Sequence, residues 1–200
     1  MRTTLFLCLA WLSVCRSGAT TVIPPDFSTL VESSTRVVQA TVAGSESAWV
    51  SQGGYRVIKT WVTFHVSEHV KGDSQPATLK LEFLGGRVGE EEMRVEGSPR
   101  FAVGEEVILF VANNGVDACP LVGWGHGVYG IRTDAATGEK RVHRINGTPL
   151  ASTSDVALPL APSAAHHPAI AAANLNRQAL AVSDFKAAIR DAQRRGNHGN

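Results

Sequence analysis

The segment Tyr55–Val70, YRVIKTWVTFHVSEHV, decides the fold class. Ile58, Val62, Phe64 and Val66 share one parity, and Lys59, Thr63 and His65 share the other. A period of two puts the first set on a buried face and the second in solvent, which is the pattern of a β-strand. The run is long for a strand, typically about 3–10 residues, so it predicts a strand that bends at a bulge as it wraps a barrel. Lys71–Gly72–Asp73 ends it in a turn.

The same period extends outward from this segment. Thr78–Leu84 places Leu79, Leu81 and Phe83 inward and Thr78, Lys80 and Glu82 outward, and Gly85–Gly86 breaks it. Upstream, Arg36–Ala43 reads as a strand carrying Val37, Val38, Ala40 and Val42, followed by a polar loop over Gly44–Gly54 that contains Trp49. Before it, Asp26–Ser34 reads as a short helix, capped by Asp26, with Phe27, Leu30 and Val31 on one face.

Downstream, Arg87–Pro99 is an acidic excursion with Glu90–Glu91–Glu92 and a short strand expected around Met93–Val95. Val107–Val111 is apolar on both parities, the mark of a strand buried on both faces. Val128–Thr133 and Lys140–Ile145 flank Asp134–Gly138 as a β-hairpin. Turns recur at short intervals without βαβ alternation. The expectation is a mainly β chain, a small antiparallel OB-like β-barrel with an extra hairpin and a C-terminal helix.

Composition shifts near Pro149, which gives four segments. Residues 1–19 read as a signal peptide, 20–148 as the OB-like barrel, and 149–182 as an Ala/Pro-rich linker or strap. Residues 183–196 read as a helix whose apolar stripe, Phe185, Ala188, Ile189 and Ala192, docks on the barrel.

The N-terminus predicts the compartment. Arg2, the apolar run Leu5–Leu12 and the small residues Ser17–Gly18–Ala19 form a secretory signal, with cleavage expected after Ala19. The destination is the exterior or the periplasm, with no transmembrane segment. Leu12–Cys15 offers a minor alternative, a lipid anchor on Cys15. Cys8 and Cys15 leave with the signal, so Cys119 alone remains and the mature monomer forms no internal disulfide. Without Arg2 and Arg16, the 19 basic and 18 acidic residues become 17 and 18, a formal −1. That balance argues against bulk nucleic-acid binding.

No motif carries a specific chemistry. G-x-S-x-G, Walker, C-x-x-C and H-E-x-x-H patterns are all missing from the sequence. His65 and His69 are roughly 13 Å apart on an extended strand, too far for one ion. Glu90–Glu92 lacks the ligand ladder of a calcium loop, and His166–His167 reads as solvated. No metal or cofactor is expected. Asn146–Gly147–Thr148 is a glycosylation sequon.

The stretch Gly123–Trp124–Gly125–His126–Gly127 is the most unusual locally. Its glycines fit a bulge or tight corner. In an extended chain Trp124 and His126 share a face, so Trp124, His126 and Tyr129 are the candidate ligand-binding residues. Cys119 reads as a structural thiol; its alternative is a nucleophile paired with His126.

The order TRVVQATV (Thr35–Val42), WVTFHVSEHVKG (Trp61–Gly72), LKLEF (Leu79–Phe83) and FAVGEEVILFV (Phe101–Val111) resembles the netrin-like and metalloproteinase-inhibitor-like module. It also resembles uncharacterised exported bacterial proteins of that outline. The resemblance covers roughly residues 27–145 and implies a five-stranded OB barrel. The inhibitors of that type are disulfide-rich and chelate zinc with an N-terminal cysteine, whereas this mature chain should begin at Thr20 with one cysteine.

The functional expectation is therefore an exported, non-enzymatic binding or cell-envelope interaction module with a protein, peptide or carbohydrate ligand. A hydrolase using Cys119 and His126 is the competing reading, and an atypical metalloproteinase-inhibitor-like protein is the third.

Overall fold

A computed structural model describes residues 23–73, 76–112, 118–160 and 176–198. The predicted signal with Cys8 and Cys15, and the pair His166–His167, lie outside the described residues.

The chain opens with helix α1 (Phe27–Ser33), whose N-cap Asp26 accepts a hydrogen bond from the Thr29 amide at 2.7 Å. Strands β1 (Arg36–Gln52), β2 (Tyr55–Lys71) and β3 (Thr78–Leu84) form a meander. A small hairpin, β4 (Gly86–Val88) and β5 (Glu91–Met93), interrupts it before β6 (Glu106–Val111), β7 (Val128–Thr133) and β8 (Lys140–Arg144). Helix α2 (Val182–His198) closes the described chain. The main sheet has six antiparallel strands in the order β3-β2-β1-β6-β7-β8. No helix among the described residues is long and apolar enough to cross a membrane.

The sheet is open. Among the described residues, β3 and β8 are not paired with each other, so strand pairing does not complete a closed barrel. Segment 118–122 instead bridges β3 and β6: the Leu84 amide of β3 donates to the Ala118 carbonyl at 2.8 Å, and the Val122 amide to the Phe110 carbonyl of β6 at 3.0 Å.

The expected loop at Gly44–Gly54 is strand for most of its length. Residues 44–52 pair with 55–63 down to Gln52 opposite Tyr55. Gly53 and Gly54 form a two-residue turn with φ of 58° and 83°, the conformation that a tight hairpin of matching twist requires. This arm is polar because its tip projects into solvent; the neighbouring strand, rather than an apolar face, satisfies its backbone. The short strand expected around Met93–Val95 lies slightly earlier, at Glu91–Met93.

Register shifts fall between Val37/Val38, Gln39/Ala40 and Val42/Gly44. Each adds one residue to one strand and turns subsequent side chains to the other face. The sheet therefore has apolar clusters on both faces. On one face, Ile108, Phe110, Tyr129 and Val142 pack under the helices against Leu30, Phe185 and Ile189. On the other, Val42, Val62, Phe64, Leu81, Phe83 and Leu109 pack together with Cys119 and Leu121. Val107 to Val111 divide between the two clusters by parity, and all are buried, as a strand apolar on both parities predicts.

The described parts of 149–182 lie on the sheet as a strap. The Val142 amide donates to Leu180, the Leu180 amide to Leu150 and the Leu150 amide to Val142, at 2.8–3.0 Å. These bonds cover the β8 edge.

Polar contacts fix α2. Lys186 Nζ lies 2.5 Å from Glu68 Oε2 and 2.9 Å from Gln39 Oε1, and Arg190 lies 2.6 Å from Glu68 Oε1. The hydrogen bond from Lys186 lowers the Glu68 pKa against the opposing effect of burial, and Arg190 assists. A carboxylate with a lowered folded pKa stabilises the protein fully above its unfolded value, about 4.3, and loses that contribution as pH falls through the folded one. Glu68→Gln should therefore flatten the acid limb: in urea titrations below about pH 5, its stability should fall less steeply than wild type. Parallel curves would show that this carboxylate is not linked to folding.

Candidate functional site

The three residues expected to face a ligand do not come together. Gly123 and Trp124 both adopt left-handed backbone, φ 60° and 58°, and start a 3-10 turn over Trp124–Gly127. The extended geometry that would put Trp124 and His126 on one face is therefore not present. A close approach imposes the turn: a Cβ on Gly127 would lie 2.5 Å from the Val122 carbonyl. Trp124 is half-buried against the cluster that contains Cys119. Tyr129 belongs to the opposite cluster, 2 % exposed, with its ring 5.1 Å from Phe185 and 5.6 Å from Phe110. His126 is buried and its Nδ1 has no hydrogen-bond partner among the described residues. Burial, then the nearby Arg144 charge, lowers its pKa.

The other aromatics do not complete a groove with these. On the projecting β1–β2 arm, Arg56 sits 4.8 Å over the Trp49 ring. The Trp61 indole donates to Glu82 at 2.9 Å. His65 is exposed, and no group of three His, Cys, Asp or Glu side chains gathers among the described residues to hold an ion.

The structure instead forms a cleft where the sequence shows a break. Gly85–Gly86 carries the chain off the end of β3 and across the inner face of the β1–β2 arm. The Gly85 amide donates to Ile58 at 2.7 Å, and Thr60 Oγ1 donates to the Gly85 carbonyl at 2.6 Å. Ser47 Oγ lies 2.8 Å from Thr60 Oγ1. Gly86 has φ 138°, and a Cβ there would fall 2.1 Å from Thr60 Oγ1 and 2.7 Å from Ser47 Oγ. Only glycine passes this close to the hydroxyl pair.

The β4–β5 hairpin then folds over as a flap and returns through 94–100. Phe101 anchors the return, meeting Phe64 edge-on at 5.1 Å and Phe83 at 5.5 Å. The Gly125 amide donates to Gly97 at 3.2 Å, so the glycine-rich turn braces the flap. Between flap and arm is a cleft of about 220 Å³. It is lined by the hydroxyl side chains of Ser45, Ser47 and Thr60 and by apolar Val62, Phe83 and Phe101, and the charged, exposed side chains at its edge form its mouth.

No protein-family model, curated protein or solved structure matches this chain. The chemistry of the cleft is therefore read from its own residues.

At the mouth, Arg94 grips Glu92 with a two-pronged fork, Nε–Oε1 at 3.0 Å and the terminal nitrogen to Oε2 at 3.1 Å. Arg100 reaches Oε1 at 3.0 Å. The Arg94 hydrogen bond holds the Glu92 carboxyl below its ordinary range, and Arg100 adds to the effect. Arg87 also lines the mouth. Glu90, Glu91 and Glu96 are on the same excursion but do not line the cleft. Of these groups, only the acidic run stands out in the sequence. The available signal was Gly85–Gly86 and Gly97 bracketing a charged segment too short and too polar to join the main sheet.

Proposed function

We propose that this chain is an exported, non-enzymatic binding module of OB-like, netrin-like type, and that the cleft under the β4–β5 flap takes its ligand. The observation that carries the reading is the cleft itself, lined by hydroxyl and apolar side chains with a charged mouth, and spanned by a backbone that admits only glycine at Gly86. The OB-like part is supported by the bulged meander and by segment 118–122 reaching from β6 to β3. The signal-like residues 1–19 support export.

Binding is favoured over thiol hydrolysis by the state of Cys119. Its thiol is buried in an apolar cluster, and burial pushes its pKa up to about 11. The nucleophilic thiolate is then scarce at neutral pH.

Two measurements test the reading. In an NMR screen of small polar compounds, shifts should concentrate on Ser45, Thr60 and Phe101. Ser45→Trp, which fills the cleft from an exposed position, should abolish them without moving the unfolding midpoint. In parallel, iodoacetamide should leave Cys119 unmodified until the protein unfolds. Shifts scattered away from the cleft would end the assignment, and rapid alkylation would return the hydrolase to first place.

A further inference from the structure

We propose that the cleft binds a small polyhydroxy carboxylic acid, of sugar-acid size, and that Glu92 is an internal carboxylate competing for the same guanidinium groups. This rests on the cleft being the ligand site and adds the ligand's chemistry.

Charge is the first argument. Arg87, Arg94 and Arg100 line the mouth with one carboxylate, Glu92, a formal surplus of two positive charges. Arg87 stands opposite Glu92 in the β4–β5 ladder, and its guanidinium forms no hydrogen bond or ion pair with any described residue. A second anion would complete the set.

Geometry is the second. The Glu92 carboxylate, forked by Arg94 and touched by Arg100, shows that two of these groups already stand where a planar carboxylate is held. Arg94 and Arg100 are 74 % and 71 % exposed, so their bonds to Glu92 are screened and contribute little. An incoming carboxylate therefore exchanges for Glu92 at small cost. Glu92 sets a threshold: it weakens the binding of any acid that brings no further contacts.

The body of the ligand follows from the interior. A volume of about 220 Å³ is below the ~300–1,000 Å³ of clefts for drug-sized ligands, and suits one ring or a short chain. The hydroxyls of Ser45 and Ser98 line it and bond to no described residue, so they are open to ligand hydroxyls. Phe83 and Phe101 offer an apolar wall to the C–H face of such a ligand.

The test is calorimetric titration of the folded protein with D-glucuronate, D-glucose and sulfate. Glucuronate should bind on the order of tenfold tighter than either, as one charge-assisted contact set implies. Arg87→Gln should weaken glucuronate by about two- to fivefold, the range for one exposed ion pair. Glu92→Gln should tighten it several-fold, because it frees two guanidinium groups. No glucuronate binding, or weaker binding in Glu92→Gln, overturns the proposal. Sulfate binding equal to glucuronate overturns the hydroxylated body. Glucose binding as tight as glucuronate, and lost in Ser45→Trp, overturns the acid while the cleft stands. Glucuronate binding that survives Ser45→Trp overturns the cleft.

Discussion

Phe185→Ala should lower the unfolding free energy by about 3–5 kcal/mol, the usual cost of deleting a buried aromatic ring. Phe185 is fully buried, and its ring lies 5.8 Å from Phe27, 6.1 Å from Phe110 and 5.1 Å from Tyr129. It is where α1, α2 and the sheet meet. Phe110 and Tyr129 are held on strands, so the surroundings cannot collapse into the space and most of the cavity remains. Urea denaturation should show a lower midpoint with an unchanged slope. Phe185→Leu, which keeps more of the volume, should cost less. A loss under about 1 kcal/mol for the alanine variant, where a filled core site predicts several, would show that α2 is not docked as described.

Lys71→Met should cost about 1–3 kcal/mol, the penalty for leaving buried acceptors unmet. Helix α1 spans seven residues, too short to persist alone, and its last carbonyls need donors. Lys71 Nζ supplies them from the end of β2, 2.6 Å from the Val31 carbonyl, 2.7 Å from Ser34 and 3.4 Å from Glu32. Val31 and Ser34 are buried, so water does not readily replace the amine. Methionine keeps the stem and removes the donors. Hydrogen exchange should accelerate first at residues 30–34. Wild-type protection there would show that the cap is dispensable.

The strands were legible where side chains report the face they occupy. In β3, Leu79, Leu81 and Phe83 are buried, and Lys80 and Glu82 are exposed, as alternation alone implies. The β7–β8 hairpin and α2 were legible for similar reasons, a turn signal at Asp134–Gly138 and a helical stripe ending at Ala192. The outer half of β1 was not. Ser45, Glu46, Ser47 and Ser51 carry no apolar period, because β2 satisfies that backbone and solvent covers much of the arm.

The cleft was illegible for a different reason. Ser47 and Thr60 become neighbours only through the arm's pairing, and Arg94 and Glu92 matter only once Gly86 has carried the flap over them. Local composition does not show the left-handed backbone at Trp124 or the face to which β7 commits Tyr129. Trp124–Tyr129 holds the rarer residue types, whereas common serines and arginines supply most of the polar lining of the cleft.

The contact between Phe27 and Phe185 also constrains how the chain is made. These rings meet across a separation of 158 residues. At a synthesis rate of about 5–20 residues per second, α1 waits roughly 8–30 s before its partner helix exists. The strands between them assemble a sheet whose helix-facing side remains uncovered throughout that interval. Contacts of such long range also make for slow closure once the chain is complete. The apolar side of the sheet that α2 covers therefore gains its cover only when the last helix has been made.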